Sequence, residues 1–146
     1  MVKRPSIIKI IIVDYVALLA TLFPAVMWGM YLFLVVLKNI QPVDMTFLAI
    51  DSVVTLVSLI VLIWRIRQFF ALFSDGLAAS ATISNVSFFR DRGRVDYIFN
   101  YQGQKYASGN AIHKVKQTEN LKVGDEVIVI VDRNNPKRAY IRDLYV

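Results

Sequence analysis

The chain has 146 residues, 56% of them hydrophobic, with a mean hydropathy of +0.50 and a formal net charge of +6. That length leaves room for about one domain, and the apolar share exceeds that of an ordinary soluble one. Cysteine is absent, the six glycines are dispersed, and His113 is the only histidine. There is accordingly no disulfide framework, thiolate nucleophile, phosphate-binding glycine loop or recognisable metal set, and no catalytic, cofactor-binding or metal residue is expected.

The two halves of the chain differ. Most of the apolar surplus falls between residues 7 and 64. Residues 76–146 carry 11 Lys/Arg against 7 Asp/Glu, or +4, and residues 1–75 carry 6 against 4, or +2. Scattered basic residues beside an apolar half suit anionic headgroups better than nucleic acid, for which no binding signature is present.

Lys3, Arg4 and Lys9 precede an apolar run at 15–37 that is too long for a signal-peptide core and lacks a small-residue cleavage site, so it reads as a first membrane span. Residues 6–14 read as an interfacial extension, with Ile7, Ile8, Ile10 and Ile11 toward lipid and Asp14 near the headgroups. Pro24 lies inside the span, where a bend is expected. The short connection at 38–44 permits only an antiparallel hairpin.

The second span is 45–64, about 20 residues and roughly 30 Å long, the thickness of a hydrocarbon core. Asp51 lies inside it. A carboxylate there costs about 3 kcal/mol, so Asp51 is expected to face Tyr31, which lies at equal depth if the hairpin turns at 40–41. The expected contacts are a hydrogen bond to Tyr31, one to Thr55, or a partner helix. Trp64, Arg65 and Arg67 close the span. Arg65, Arg67, Phe69, Phe70 and Phe73 read as membrane-interface anchors, with Gly76 as the helix stop. Cations flank both chain ends and only Lys38 lies between the spans. A multi-pass cell-membrane protein with both termini cytoplasmic is therefore expected.

From residue 79 the periodicity changes to two. Segments 80–89, 94–102, 105–112, 126–132 and 138–143 read as five strands, and Val95, Tyr97, Phe99 and Tyr101 mark one buried face. Turns are expected at Asp91-Arg92-Gly93, Gln102-Gly103-Gln104 and Asn134-Asn135-Pro136, with glycine where positive φ is needed. Gly124-Asp125 reads as a tight entry turn, and Asp132 as an Asx-turn residue rather than a Ca²⁺ or Mg²⁺ ligand. The fold class expected is membrane α plus all-β. Residues 1–75 form a transmembrane helical hairpin, and 77–146 form a small five-stranded antiparallel SH3-like or OB-like barrel, expected to fold alone.

The segments DYIFNYQGQKY and LKVGDEVIVIVDRNNPKRAYI carry Gly103, Tyr106, Val123, Gly124, Asp125, Val127, Val129, Asp132, Asn135, Pro136 and Ala139. Together with the two spans and ATISNV, they resemble the bacterial membrane-protein family called domain of unknown function three-five-nine-two. The likeness covers about the C-terminal 70 residues and departs at Val131, where an aromatic is more usual. It implies a membrane-anchored β domain and no known activity.

The function expected is that of a non-enzymatic accessory or adaptor protein in the lipid bilayer, whose β domain binds a membrane-protein partner, a second copy of the chain or the membrane surface. One alternative is a small oligomeric transport or channel-like protein using Asp51, Asp14 and Pro24. Another is a tethered nucleotide or nucleic-acid binder using Arg90, Arg92, Arg94 and the 114–122 loop.

Overall fold

The computed structural model of the chain describes residues 4–37 and 45–146, so Lys3 and the expected connection at 38–44 lie outside the described residues. A short helix α1 (Ile7–Val13) is followed by α2 (Tyr15–Leu32), which runs unbroken through Pro24 and continues into a π-helical turn at Phe33–Leu37. Helix α3 (Met45–Asp75) has 31 residues, about 46 Å at the standard rise. Both long helices are long and apolar enough to cross a membrane. Leu22, Phe23 and Val26 of α2 and Val53, Leu56 and Ile60 of α3 are exposed.

The two helices pack antiparallel. Arg65 meets Asp14 at one end, the Trp28 indole donates to Thr55 Oγ1 at 2.9 Å midway, and the Tyr31 ring stacks on Phe47 at 6.1 Å near the other end.

Five antiparallel strands follow, β1 (Leu77–Phe89), β2 (Arg92–Tyr101), β3 (Gln104–His113), β4 (Glu126–Val131) and β5 (Ala139–Ile141), in the order β3-β2-β1-β4-β5. Short helices α4 (Lys116–Glu119) and α5 (Arg142–Tyr145) follow β3 and β5. Strand β1 pairs with β2 along one part and β4 along another. The register shifts between Ile83 and Asn85, a bulge of the kind that lets one long strand bend around a small barrel.

Side chains nearly complete the barrel. Asn110 Nδ2 on β3 donates to the Ala139 carbonyl on β5 at 2.9 Å, Ser108 Oγ donates to the Lys137 carbonyl at 2.7 Å, and Tyr97 Oη lies 2.6 Å from the same Ala139 oxygen. The β2 alternation places Val95, Tyr97, Phe99 and Tyr101 inside.

The turns follow local chemistry with one change. Gln102 (φ 50) and Gly103 (φ 78) both adopt positive φ in a two-residue hairpin loop. In the β1–β2 hairpin the positive φ falls on Arg90 (φ 56), not on Gly93. Gly93 lies in β2 opposite Phe88, where a Cβ would come within 2.4 Å of the phenyl ring. Gly76 ends α3 because the backbone passes close to β4: a Cβ there would lie 2.4 Å from the Leu72 carbonyl and 2.5 Å from Ile130 Cγ2.

One hydrophobic core crosses the chain's apparent division. Ile10, Val13 and Ala17 from the N-terminal helices and Phe69, Leu72 and Phe73 from α3 are buried in the same cluster as Ile83, Tyr97, Ile112, Val129, Ile130, Ile141 and Tyr145. This corrects the expectation that Ile10, Phe69 and Phe73 lie at a lipid boundary. Ile10, Phe69 and Phe73 are 0%, 1% and 3% exposed, and Phe70 packs half-buried against the cluster. The physical reason is length. Helix α3 is about 16 Å longer than the roughly 30 Å of a hydrocarbon core, and the barrel packs against its last turns.

Candidate functional site

Asp14 interrupts what would otherwise be one N-terminal helix. Its backbone is extended (φ −79, ψ 115), its N–H donates to the Ile10 carbonyl at the end of α1, and its Oδ1 accepts from Ala17 N at 2.9 Å to cap α2. The extended residue also forms an isolated antiparallel bridge with Ile112 of β3, which ties the helix break to the barrel.

Arg65 completes the arrangement from α3. Its Nε donates to Asp14 Oδ1 at 3.1 Å and its Nη2 to Oδ2 at 2.6 Å, a fork matching both carboxylate oxygens. The side chains are 17% exposed for Arg65 and 1% for Asp14, so water screens the pair poorly. The guanidinium carbon lies 5.2 Å from the Phe69 ring centre and 5.5 Å from that of Tyr140, within cation–π range. Tyr145 packs on Phe69 with ring centres 4.6 Å apart. The C-terminal residues close over α1, with Ser6 N donating to the Tyr145 carbonyl at 2.8 Å and Lys9 Nζ donating to the Val146 carbonyl.

Burial pushes the Tyr145 hydroxyl well above its ordinary value, and the negative charge of Asp14 adds to the shift. The Tyr145 oxygen has no hydrogen-bond partner. Burial raises Tyr97 as well, against the opposing effect of its hydrogen bonds. Charge matching and aromatic packing thus hold α1, α2, α3 and the barrel at one point. The chemistry is that of a lock, with both oxygens of the Asp14 carboxylate occupied by Arg65 and backbone.

Asp51 occupies the other polar site of the hairpin. It is 0% exposed, and neither carboxylate oxygen has a hydrogen-bond partner. Thr55 Oγ1 instead donates to the Asp51 backbone carbonyl at 2.7 Å and accepts from Trp28, while Tyr31 stacks on Phe47. Residues 47, 51 and 55 share one helix face at a spacing of four. Trp28 and Tyr31, packed edge to face at 5.7 Å, therefore bracket Asp51.

Arg67 is exposed, and His113 is half-buried with its Nδ1 lacking a partner. Asp132 Oδ1 accepts from Asn134 N at 2.9 Å, an Asx turn, and its Oδ2 lies 3.8 Å from Arg138 Nη1. Among the described residues, no group of three or more His, Cys, Asp or Glu side chains is placed to hold a metal ion.

The Asp14–Arg65 pair was not anticipated from sequence, although the depth argument that set Asp51 opposite residue 31 would also set Asp14 opposite residues 66–68. Tyr140 and Tyr145 gave no local signal for their part in it. Compared with known proteins, the chain matches no family model, no curated protein and no solved structure.

Proposed function

We propose that this chain is a non-enzymatic integral membrane protein whose helical hairpin crosses the bilayer and holds its β barrel as a fixed platform for a membrane-protein partner. The observation that carries the reading is the single core shared by the helix ends and the barrel, sealed by the Asp14–Arg65 fork. A barrel on a flexible tether samples many orientations. One packed against three helix segments presents its surface at a set height and angle, and this removes orientational entropy from partner binding.

The exposed apolar faces of α2 and α3 support membrane insertion. The Lys/Arg bias supports cytoplasmic termini. The likeness to the three-five-nine-two family supports the same architecture and supplies no activity. The SH3-like or OB-like assignment belongs to this reading too, on the strength of the bulged strand β1 and the near closure between β3 and β5.

Two other readings have less support. Asp51 is closed inside the hairpin at 0% exposure, which weighs against transport through a single chain. Of the cations assigned to nucleic-acid binding, Arg94 pairs with Asp96 at 2.7 Å and Lys114 with Glu119 at 3.4 Å.

Crosslinking from single cysteines on the barrel, in native membranes, tests the proposal. The expected result is one discrete adduct with a membrane protein from a subset of barrel positions. Adducts of the chain with itself alone would replace the adaptor by a homo-oligomer, and no adduct from any position would remove the reading.

A further inference from the structure

The tip of the β1–β2 hairpin combines features that the barrel core does not use. Phe89, the last residue of β1, is 62% exposed. The guanidinium carbons of Arg90 and Arg92 lie 5.6 Å and 5.5 Å from its ring centre. Neither arginine belongs to any of the ion pairs among the described residues. Arg90 also adopts φ 56, a conformation disfavoured for a side chain of its size.

The tip is held in place. The Asp91 carbonyl accepts from Lys114 N at 2.8 Å, Arg92 pairs with His113, and the adjacent Ile112 bridges to Asp14. A cavity of about 340 Å³ lined by Phe89, Arg90, Asp91 and Arg92 is completed by Tyr15, the first residue of α2. A second groove, of about 400 Å³, differs from it: Trp64, Arg67 and Arg133 share its lining with the carboxylates of Asp75 and Asp132.

We propose that the Phe89–Arg92 tip is a lipid-binding element, with Phe89 entering the headgroup–acyl boundary and Arg90 and Arg92 binding the phosphates of anionic phospholipids. The assignment rests on the membrane-spanning reading above, because that reading puts Tyr15 at the bilayer surface and the tip beside it. Arginine suits the role because its planar fork matches phosphate oxygens, and an exposed aromatic flanked by cations suits an interface that is apolar below and anionic above. Each arginine near such a surface strengthens attachment roughly fivefold.

The chain has no cysteine, so a nitroxide on an Asp91→Cys variant of the full chain reports the tip alone. It is to be compared in phosphatidylcholine vesicles with and without phosphatidylglycerol. The expected result is greater collision with oxygen, and less with a water-soluble nickel chelate, when phosphatidylglycerol is present. Adding Arg90→Gln and Arg92→Gln should lower the ratio of lipid-bound to free tip roughly 25-fold at equilibrium. A label at Leu56→Cys separates the two claims: lipid contact at 56 with water contact at 91 in both vesicle types overturns the tip proposal alone, whereas water contact at 56 overturns the spanning reading. If inorganic phosphate in detergent solution reproduces the loss of nickel-chelate collision at 91, the site takes soluble phosphate and the lipid assignment is wrong.

Discussion

Two carboxylates in the helical hairpin are shut away from solvent to nearly the same degree, Asp14 at 1% and Asp51 at 0% exposure, and the protein around them differs completely. Asp14 receives both forks of Arg65 and a backbone N–H. Asp51 receives no hydrogen bond on either oxygen. The difference separates two kinds of buried acid. Asp14 is part of the mechanical joint, and every oxygen is used where helix, helix break and barrel meet. Asp51 lies between aromatic rings in an apolar hairpin and adds no bond that the hairpin depends on.

The contrast predicts where the molecule is fragile. The largest effect should come from cutting the joint. A fragment of residues 77–146 leaves Phe69, Leu72, Phe73, Ile10 and Val13 behind and uncovers the barrel face they cover. Burial of Phe69, Leu72 and Phe73 alone is worth about 5–9 kcal/mol, comparable to the whole stability of a small domain. The fragment should therefore show no cooperative unfolding by circular dichroism, and a sharp transition would mean that the joint matters less than the packing implies.

Within the full chain, Arg65→Ala leaves Asp14 buried and unpaired and should cost about 3–5 kcal/mol in denaturant unfolding. Adding Asp14→Asn to Arg65→Met should recover much of the loss. Asp51→Leu, at the same burial, should cost under about 1 kcal/mol or stabilise. Equal losses at the two acids would erase the distinction drawn between them.

Alkaline pH probes the barrel side of the joint. Tyr97 and Tyr145 have folded-state values above their unfolded value near 10. Their contribution is fully present below about pH 10 and is lost as pH rises through the folded values. Stability measured from about pH 8 to about pH 12 should fall at the upper end, and Tyr145→Phe should blunt the fall. Because the Tyr145 hydroxyl is unpartnered, that variant should cost nothing at neutral pH, whereas Tyr97→Phe should cost about 1 kcal/mol.

A small effect is expected in the hairpin interior. Trp28→Phe removes the donor to Thr55 and should cost about 0.6 kcal/mol, the average for interhelical hydrogen bonds in membranes. A much larger loss would mean that the aromatic bracket over Asp51 is structural after all.

How much of this was legible in the sequence depended on range. The strands were readable because Val95, Tyr97, Phe99 and Tyr101 alternate with polar residues over one short segment, and alternation is a local signal. The long helices were readable from length and apolarity. Phe69 and Phe73 were misplaced because helical spacing tells which residues share a face and not whether that face meets lipid or protein. The break at Asp14 was hidden because its partner lies 51 residues away, and an aspartate at the start of an apolar run looks equally like a headgroup contact. The positive φ at Arg90 ran against composition, since a glycine stood two residues beyond the turn.

The central claim is that hairpin and barrel move as one body. Nitroxides at Leu56→Cys in α3 and Lys105→Cys in β3, in the reconstituted full chain, give the distribution of distances between the two parts. A single narrow distribution that broadens in Arg65→Ala is the predicted result. A broad distribution in the parent chain, unchanged by Arg65→Ala, would contradict the account.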